Sequence, residues 1–308
     1  MQNNYKRFFV KIFIFFVFIG ILDFFVGNFL SYLYFKQSYG TLYQTTYSIK
    51  KTDHEVLIFG SSRAAHHYNP QIFKDSLGLS CYNVGRNATN ILYHYAILKA
   101  TLNRYIPKII VLDINVEEFI FNQNSYDRLS SLLPYYKEHP EIKEIVLLRS
   151  PFEKVKLFSN IYPFNSMIFS AIYRTEKFNS GKDQNISGYE PIYSIKWNEK
   201  IQNYPYIKNS YKDNIKIKYL DKFIKTCKNN NIKLFIVVSP YFYTFPQTDT
   251  SIEYAKKKTI SNGIGFMSFL SDSTFINRPS LFKDPLHLNN EGATIFSKKI
   301  VSLLKKEI

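Results

Sequence analysis

The chain has 308 residues, 45% of them hydrophobic, which excludes a largely disordered protein and allows one α/β domain with additional segments. The formal net charge of +16 at pH 7 indicates either a Lys-rich surface or attraction to an anionic membrane or acidic cell-wall polymer. The sequence has no basic helix, Arg-rich stripe or metal-ligand spacing. We therefore expect no nucleic-acid partner, no metal and no organic cofactor.

The first predicted element is an apolar segment near the N-terminus. Residues 12–35 are uncharged apart from Asp23 and consist mostly of Phe, Ile, Leu and Val. About 24 such residues are enough to cross a bilayer as a helix. Three basic residues precede the segment and favour an N-terminus inside the cell, namely Lys6, Arg7 and Lys11. The sequence predicts a lipid-embedded anchor over residues 1–36, with residues 37–308 outside the cytoplasm.

Asp23 is the exception within this segment, because a carboxylate in hydrocarbon is costly. The cost is avoided if Asp23 is protonated, lies near a helix end, or lies at the outer interface. A cleavable signal peptide is the first alternative, although the segment is long and no Ala-x-Ala-like site follows it. A buried helix of a soluble protein is the second alternative.

Short apolar strands alternate with helices in the rest of the chain. Strands are predicted at 55–59, 81–84, 108–114, 233–238 and 266–269. Helices are predicted from Pro70, over 89–104, around 220–227 and over 291–306. Cys81 and Cys227 lie in these apolar segments, and we expect both in the core. The alternation predicts an α/β fold with a parallel sheet covered on both faces.

The stretch from about 116 to 214 interrupts this alternation. It is rich in Tyr, Phe, Asn and Pro, and we interpret it as a partly helical insertion into the 37–308 domain. It is either a cap that shapes access to a site or a purely structural excursion.

Short polar motifs follow the first three strands, and sites in parallel sheets form at the carboxyl ends of strands. Gly60-Ser61-Ser62 follows the first strand; glycine permits a sharp turn, and the serines either point into a cleft or cap a helix. Gly85 follows the second strand, and Asn115 ends the third. A backbone N–H or an amide at these places can donate to an oxyanion, although turns favour Gly and Asn in any case.

The strongest motif is Asp284-Pro285-Leu286-His287, just before the last predicted helix. One turn can hold both polar side chains, so that the Asp284 carboxylate accepts a hydrogen bond from the His287 imidazole and fixes its tautomer. An Asp-x-x-His pair of this kind is catalytic in some proteins and structural in others.

The joint order of these motifs resembles the SGNH (GDSL-like) hydrolase superfamily over residues 55–119 and 232–306. The resemblance implies a three-layer, flavodoxin-like fold. It also implies a catalytic triad of Ser62, Asp284 and His287. The sequence departs from the family pattern in its first block, which reads Gly-Ser-Ser rather than Gly-Asp-Ser.

The same resemblance implies an oxyanion hole built from Ser62, Gly85 and Asn115. Here too the sequence departs from the family, because the third block reads Asp-Ile-Asn-Val rather than Gly-x-Asn-Asp. An α/β-hydrolase is a rival interpretation, since residues 60–64 are one residue away from Gly-x-Ser-x-Gly. That fold usually places several strands before its nucleophile and supplies its Asp and His from separate loops.

The N-terminal anchor together with Gly-Ser-Ser looks like the membrane-anchored SGNH proteins of cell-envelope acylation, such as the D-alanyl transfer protein and the alginate O-acetylation proteins. This implies an esterase or O-acyltransferase acting on an envelope glycan or glycopolymer, with a membrane acyltransferase as a candidate partner. The alternative is a non-catalytic anchored scaffold. Four residues lie close to the site in the sequence, namely Arg63, His66, His67 and Arg86. They either bind an anionic substrate or are solvated loop residues.

Overall fold

A five-stranded parallel β-sheet, in the order β2-β1-β3-β5-β7, forms the centre of the computed structural model, which describes residues 2–167, 187–193, 197–207 and 210–308. The strands in chain order are β1 (Val56–Phe59), β2 (Cys81–Asn83), β3 (Ile109–Asp113), β4 (Gln202–Asn203), β5 (Lys233–Val238), β6 (Tyr243–Thr244), β7 (Gly265–Ser268), β8 (Phe282–Asp284) and β9 (His287–Leu288). β4 pairs with β6, and β8 pairs with β9 in an antiparallel ribbon. The five predicted strands are confirmed as the members of the central sheet.

The helices connect these strands and cover the sheet. In chain order they are α1 (Gln2–Phe35), α2 (Gly40–Lys50), α3 (Ser62–His67), α4 (Pro70–Leu77), α5 (Ile91–Leu102), α6 (Gln123–Asp127), α7 (Lys143–Val146), α8 (Glu153–Lys156), α9 (Asn214–Asn229), α10 (Thr250–Ser261), α11 (Ser273–Ile276) and α12 (Asn290–Glu307). Short 3-10 helices occupy Arg128–Tyr135, Pro140–Ile142, Leu147–Arg149, Tyr162–Met167 and Pro279–Leu281. Because the apolar periodicity of α2 and α10 is weak, neither helix was predicted from the sequence.

Successive residues of each buried strand face opposite layers. On one side, Leu57 and Leu112 belong to a core that includes apolar residues of α5 and α9. On the other side, Ile58 and Val111 belong to a core that includes Phe296 and other residues of α12. The predicted three-layer α/β fold with a parallel sheet is therefore confirmed.

The order of the strands creates a crevice beside β1. This strand pairs with β2 on one side and with β3 on the other. The helices that follow the carboxyl ends of neighbouring strands therefore diverge at this point of the sheet. Ligands in open α/β sheets bind at such a switch point. Ser62 lies directly after β1, at this crevice.

Helix α1 includes an apolar span of 31 residues, Tyr5–Phe35, with a mean hydropathy of 2.6 in its most apolar window. It is long and apolar enough to cross a membrane. Its last turns pack against the domain, because Leu30 and Tyr34 are buried and the Tyr34 and Tyr135 hydroxyls lie 3.1 Å apart. Helix α1 is thus fixed to the domain rather than joined to it by a free linker.

The described part of the insertion consists mostly of the short helices α6–α8 and the 3-10 turns between them. Residues 187–193 return to the sheet, where the Asn83 N–H donates to the Ser187 carbonyl at 2.9 Å. The Glu190 N–H donates to the Ala65 carbonyl of α3, also at 2.9 Å. This part of the insertion therefore lies beside the helix that begins at Ser62. Other parts of the insertion, including residues 168–186, lie outside the described residues.

Candidate active site

Ser62 is positioned by a sharp turn between β1 and α3. Gly60 has φ 147°, a conformation that side chains with a Cβ rarely adopt. A Cβ at Gly60 would also lie 2.7 Å from the Ala64 Cβ and 2.9 Å from the Asp113 carbonyl oxygen. The glycine thus permits the chain to reverse close to β3, which places Ser62 in the first turn of α3.

Ser62, His287 and Asp284 form a continuous chain of hydrogen bonds. The Ser62 Oγ lies 2.8 Å from the His287 Nε2. The His287 Nδ1 lies 2.9 Å from the Asp284 Oδ1 and 3.0 Å from its Oδ2. Because the His287 side chain is 21% exposed and that of Asp284 39%, a substrate can reach this chain from solvent. Folding brings together residues that lie 225 positions apart.

The turn that carries Asp284 and His287 fixes both side chains. The Asp284 Oδ1 accepts the backbone N–H of Leu286 at 2.9 Å and that of His287 at 3.0 Å. Burial acts to raise the pKa of Asp284, but the His287 side chain and these two N–H groups outweigh it and lower the pKa below its usual value. The carboxylate is therefore ionised at neutral pH and holds the His287 Nδ1 as a donor, which leaves Nε2 to face Ser62.

Asn115 is held beside this chain by several contacts. Its Oδ1 accepts from the Ser61 Oγ and the Arg63 Nε, each at 3.3 Å. Its Nδ2 donates to the Glu118 Oε2 at 2.9 Å. Because an amide nitrogen carries two hydrogens, Asn115 retains a second donor.

Gly85 has its backbone N–H occupied by a neighbouring side chain. This N–H donates to the Asn83 Oδ1 at 2.9 Å. A Cβ at this position would lie 2.8 Å from both the Ala64 Cβ and the Ala65 nitrogen. The described contacts thus show that Gly85 permits the close approach of this loop to α3. They do not support the predicted role of Gly85 as an oxyanion donor.

Arg63 is not a substrate-binding residue on the surface, so this alternative from the sequence is wrong. Its side chain is only 3% exposed and pairs with the Asp113 Oδ1 at 2.9 Å. It also donates to the Ile114 carbonyl at 2.7 Å and stacks on the Tyr241 ring at 3.8 Å. A guanidinium buried in this way joins the ends of the strands rather than meeting a ligand.

His67 is also buried, which contradicts its assignment as a substrate contact. Its Nδ1 lies 3.0 Å from the Ser239 Oγ, and its Nε2 accepts the Leu288 N–H at 2.9 Å. Burial lowers the pKa of His67 well below its usual value, and the charges of Arg63 and neighbouring histidines add to that effect. A neutral His67 therefore clamps the residue that follows His287.

The other two candidate binders differ from each other. The Arg86 side chain donates to the Thr41 carbonyl at 2.6 Å and also to the Thr45 hydroxyl, so it attaches this loop to α2. His66 remains next to the site, with its ring edge-on to His287 at a centroid distance of 5.6 Å. The His66 Nδ1 lies 2.7 Å from the Glu190 carbonyl oxygen. Of the four candidates, His66 alone combines a partly exposed side chain with a ring contact to His287.

Several residues of the site were not identified from the sequence. Glu118 accepts both from Asn115 and from the Ile91 N–H at 2.9 Å, which ties the end of β3 to the start of α5. Glu190 comes from the insertion and accepts from the Gln44 Nε2 at 2.8 Å. Ala88 adopts a left-handed conformation with φ 60° in the loop after β2. None of these residues belongs to a motif of its own, so the sequence carried no signal for them.

A polar cleft of about 830 Å³ is lined by Ser61, the residue before Ser62, but by none of Ser62, His287 and Asp284. Ser61, Ala88 and Asn115 form its wall on the side of the sheet. The insertion forms the other wall with amide, hydroxyl and charged groups, which include Asn122, Asn124, Ser125, Asp127, Arg128 and Arg149. Such groups suit a ligand rich in hydroxyl groups. Among the described residues, no group of three or more His, Cys, Asp or Glu side chains is placed to hold a metal ion.

A hydrogen-bonded Ser–His–Asp arrangement at the carboxyl ends of a parallel sheet is the geometry of serine hydrolases. No protein-family model matches the sequence, and no curated protein matches it. Solved structures resemble the fold at low similarity, and three of them are described as proteins that act on acyl groups or esters.

The first is a proposed acylhydrolase from Bacteroides fragilis, at 12% identity and TM-score 0.41, with 84% of this chain and 89% of that chain covered. The second is a GDSL-like lipase from Bacteroides thetaiotaomicron, at 13% identity and TM-score 0.39, with 82% and 88% covered. The third is an acetyl xylan esterase, at 14% identity and TM-score 0.39, with 81% and 99% covered. At these identities and TM-scores, the likeness does not assign an activity to this chain.

Proposed function

We propose that this protein is a membrane-anchored serine esterase or O-acyltransferase of the SGNH type. It acts outside the cytoplasm on acyl esters of a cell-envelope glycan or glycopolymer. The observation that carries the proposal is the distance of 2.8 Å between the Ser62 Oγ and the His287 Nε2, with Asp284 behind the imidazole. A scaffold with a decayed site has no need to keep these three groups in contact.

In the first half of the reaction, the Ser62 Oγ attacks the carbonyl carbon of an acyl ester. Its proton passes to the His287 Nε2, and Asp284 stabilises the imidazolium that results. The negative charge on the carbonyl oxygen is met by the Ser62 N–H and the second amide hydrogen of Asn115. The tetrahedral intermediate then collapses, the alcohol leaves with the proton from His287, and an ester of Ser62 remains.

In the second half, His287 removes a proton from water or from a sugar hydroxyl, and the oxygen of that group attacks the acyl carbon. Collapse of this second intermediate returns the proton to the Ser62 Oγ and releases an acid or a new ester. Water gives an esterase, and a sugar hydroxyl gives a transferase. The polar cleft supports a hydroxyl-rich acceptor, because amide, hydroxyl and charged side chains line it beside Asn115.

The anchor supports a location at the outer face of a membrane. Lys6, Arg7 and Lys11 lie at the N-terminal end of the apolar helix, and basic residues at this end of a first span favour a cytoplasmic N-terminus. A transferase in this place requires an acyl donor, and a membrane acyltransferase is the candidate partner. The net charge of +16 is compatible with an acidic envelope polymer as the acceptor.

The proposal is tested with the full chain in detergent, because α1 packs against the domain. Hydrolysis of a chromogenic acetyl ester and labelling by a fluorophosphonate probe are measured for the wild type, Ser62→Ala and His287→Ala. Ser261→Ala is the matched control, since Ser261 is an exposed residue of α10 whose Oγ donates to the Lys258 carbonyl. We expect both activities to vanish in the first two variants and to persist in the control. A wild type that neither hydrolyses the ester nor takes up the probe would favour the non-catalytic scaffold.

A further inference from the structure

An exposed apolar surface lies on the insertion, far along the chain from the anchor. Helix α8 and the residues around it present three large apolar side chains to solvent: Phe152 is 68% exposed, Val155 66% and Phe158 81%. Their spacing of three residues places them on one side of the turn. Lys154 and Lys156 are also exposed between them. An apolar cluster of this kind with a charged border marks an interaction surface.

The surface is attached directly to α1 through Asp23. The Asp23 carboxylate accepts from the Asn160 backbone N–H at 2.6 Å, from the Asn160 Nδ2 at 2.9 Å and from the Ile161 N–H at 3.2 Å. The Ser159 hydroxyl is a fourth donor to the same carboxylate. One carboxylate thus meets four donors from a single turn that follows Phe158.

Gly27 completes this contact one helical turn after Asp23. A Cβ at Gly27 would lie 2.4 Å from the Asn160 Cβ and 2.6 Å from its carbonyl carbon. Only a residue without a Cβ lets the turn approach the helix so closely. Asp23 and Gly27 lie on the same face of α1, which is therefore built to receive residues 159–161.

The opposite face of α1 is still apolar at this level. Phe25 is 67% exposed and Phe29 59%. The helix rises about 1.5 Å per residue, so Asp23 lies roughly 18 Å beyond Lys11, the last basic residue before the uncharged run, while a hydrocarbon core is about 30 Å thick. With Lys11 at the inner boundary, Asp23 falls within the outer leaflet. The four donors then satisfy a carboxylate that hydrocarbon would otherwise penalise.

We propose that residues 150–161, here called the docking segment, insert Phe152, Val155 and Phe158 into the outer leaflet of the bilayer beside α1. The partner is the lipid itself, and Lys154 and Lys156 face its headgroups. Anionic lipids strengthen the attraction between these headgroups and the two lysines. The inference rests on the proposed membrane location of α1. The docking segment gives the domain a second attachment, which fixes its orientation relative to the membrane.

This orientation has a consequence for the cleft. Arg149 precedes the docking segment, pairs with the Glu153 Oε1 of α8 at 2.8 Å, and lines the cleft that also contains Ser61 and Asn115. One end of the cleft therefore lies close to the lipid headgroups, where a polymer or an acyl donor held at the membrane is within reach.

The test places a polarity-sensitive nitrobenzoxadiazole label on Phe158→Cys in the full chain, reconstituted into phosphatidylcholine vesicles with phosphatidylglycerol. The native Cys81 and Cys227 are buried, so the introduced thiol is the one that reacts under native conditions. Quenching by lipids brominated on their acyl chains reports insertion. The matched control is Ile260→Cys, since Ile260 is a 66% exposed apolar residue of α10. Phe18→Cys in α1 reports the anchor itself.

We expect brominated lipid to quench the label at positions 158 and 18 several-fold and to leave position 260 unchanged. Quenching at 18 without quenching at 158 overturns the docking segment and leaves the anchor intact. Absence of quenching at both positions overturns the anchor and the docking segment together. As a second variant, Asp23→Ala removes the acceptor of the four donors, and we expect it to reduce quenching at 158 but not at 18. Equal quenching at 158 with and without Asp23 would contradict the proposed role of that contact.

Discussion

The two faces of helix α3 carry similar polar residues but serve different purposes. Ser62 and His66 lie one turn apart on the face next to the site, where Ser62 contacts His287. Arg63 and His67 lie one turn apart on the other face and are buried, 2% and 0% exposed. Position next to a nucleophile in the sequence therefore does not make a residue a substrate contact. The helical period decides which neighbours meet the cleft and which hold the framework.

The largest expected effect belongs to the cleft side, where the chain of hydrogen bonds continues from Ser62 to Asp284. Asp284→Asn keeps an oxygen for the Leu286 and His287 N–H groups but presents an amide to the His287 Nδ1. We expect the imidazole to take the wrong tautomer and kcat for ester hydrolysis to fall by about 10⁴-fold. Asp272→Asn is the control, since Asp272 pairs with Lys299. A loss below tenfold would contradict the triad.

The next effect belongs to the buried face and is one of stability. Arg63→Met leaves Asp113 without its cation in a site where the two side chains are 3% and 1% exposed. We expect the free energy of unfolding to fall by about 3–5 kcal/mol, because a buried charge loses its partner. The comparison variant Lys222→Met removes an ion pair with Glu144, whose two side chains are 32% and 56% exposed. We expect the free energy of unfolding to fall by about 1 kcal/mol or less in this variant. Chemical denaturation measures both values, and equal losses would refute the distinction.

A smaller effect is the pH dependence of stability that two buried histidines impose, His67 of α3 and His94 of α5. Burial depresses the pKa of His67 below its unfolded value of about 6.5 and lowers the pKa of His94 to about 3. The unfolded chain then binds more protons, so stability is full above about pH 6.5 and is lost as the pH falls toward the folded values. Each histidine contributes a slope of up to about 1.4 kcal/mol per pH unit.

His67→Gln removes one titrating group from this balance. We expect the slope of unfolding free energy against pH below 6.5 to decrease in this variant. The slope that remains is the contribution of His94. Denaturation curves at several pH values between 4 and 7 measure the slope. An unchanged slope would mean that His67 is not held neutral in the fold.

The smallest expected effect is that of His66 on the cleft side. Its Nδ1 contacts the Glu190 carbonyl, and its ring packs edge-on against His287 without a hydrogen bond between them. His66→Asn removes at most one hydrogen bond worth about 1 kcal/mol, so we expect kcat/KM to change by about fivefold. A loss of more than 100-fold in steady-state hydrolysis would instead place His66 in the catalytic machinery.

The sequence by itself determined the elements whose pattern is local. Apolar runs that end at Gly, Asn or Ser marked the buried strands β1, β3 and β5, because a strand buried on both faces must be mostly apolar. The order of the polar motifs resembles that of SGNH hydrolases, and this resemblance implied that Ser62, Asp284 and His287 would meet. The 24-residue apolar run indicated an anchor, because length and hydropathy are local quantities.

Only the tertiary structure decided which polar residues are buried and what they contact. The burial of Arg63 and the acceptor role of His67 depend on neighbours from other strands and loops. Asp23 is the clearest case: the sequence marked its cost in a membrane, and the fold supplies its donors from residues 159–161. Such partners lie more than 130 positions away, and a local pattern carries no information about contacts that only the packed chain creates.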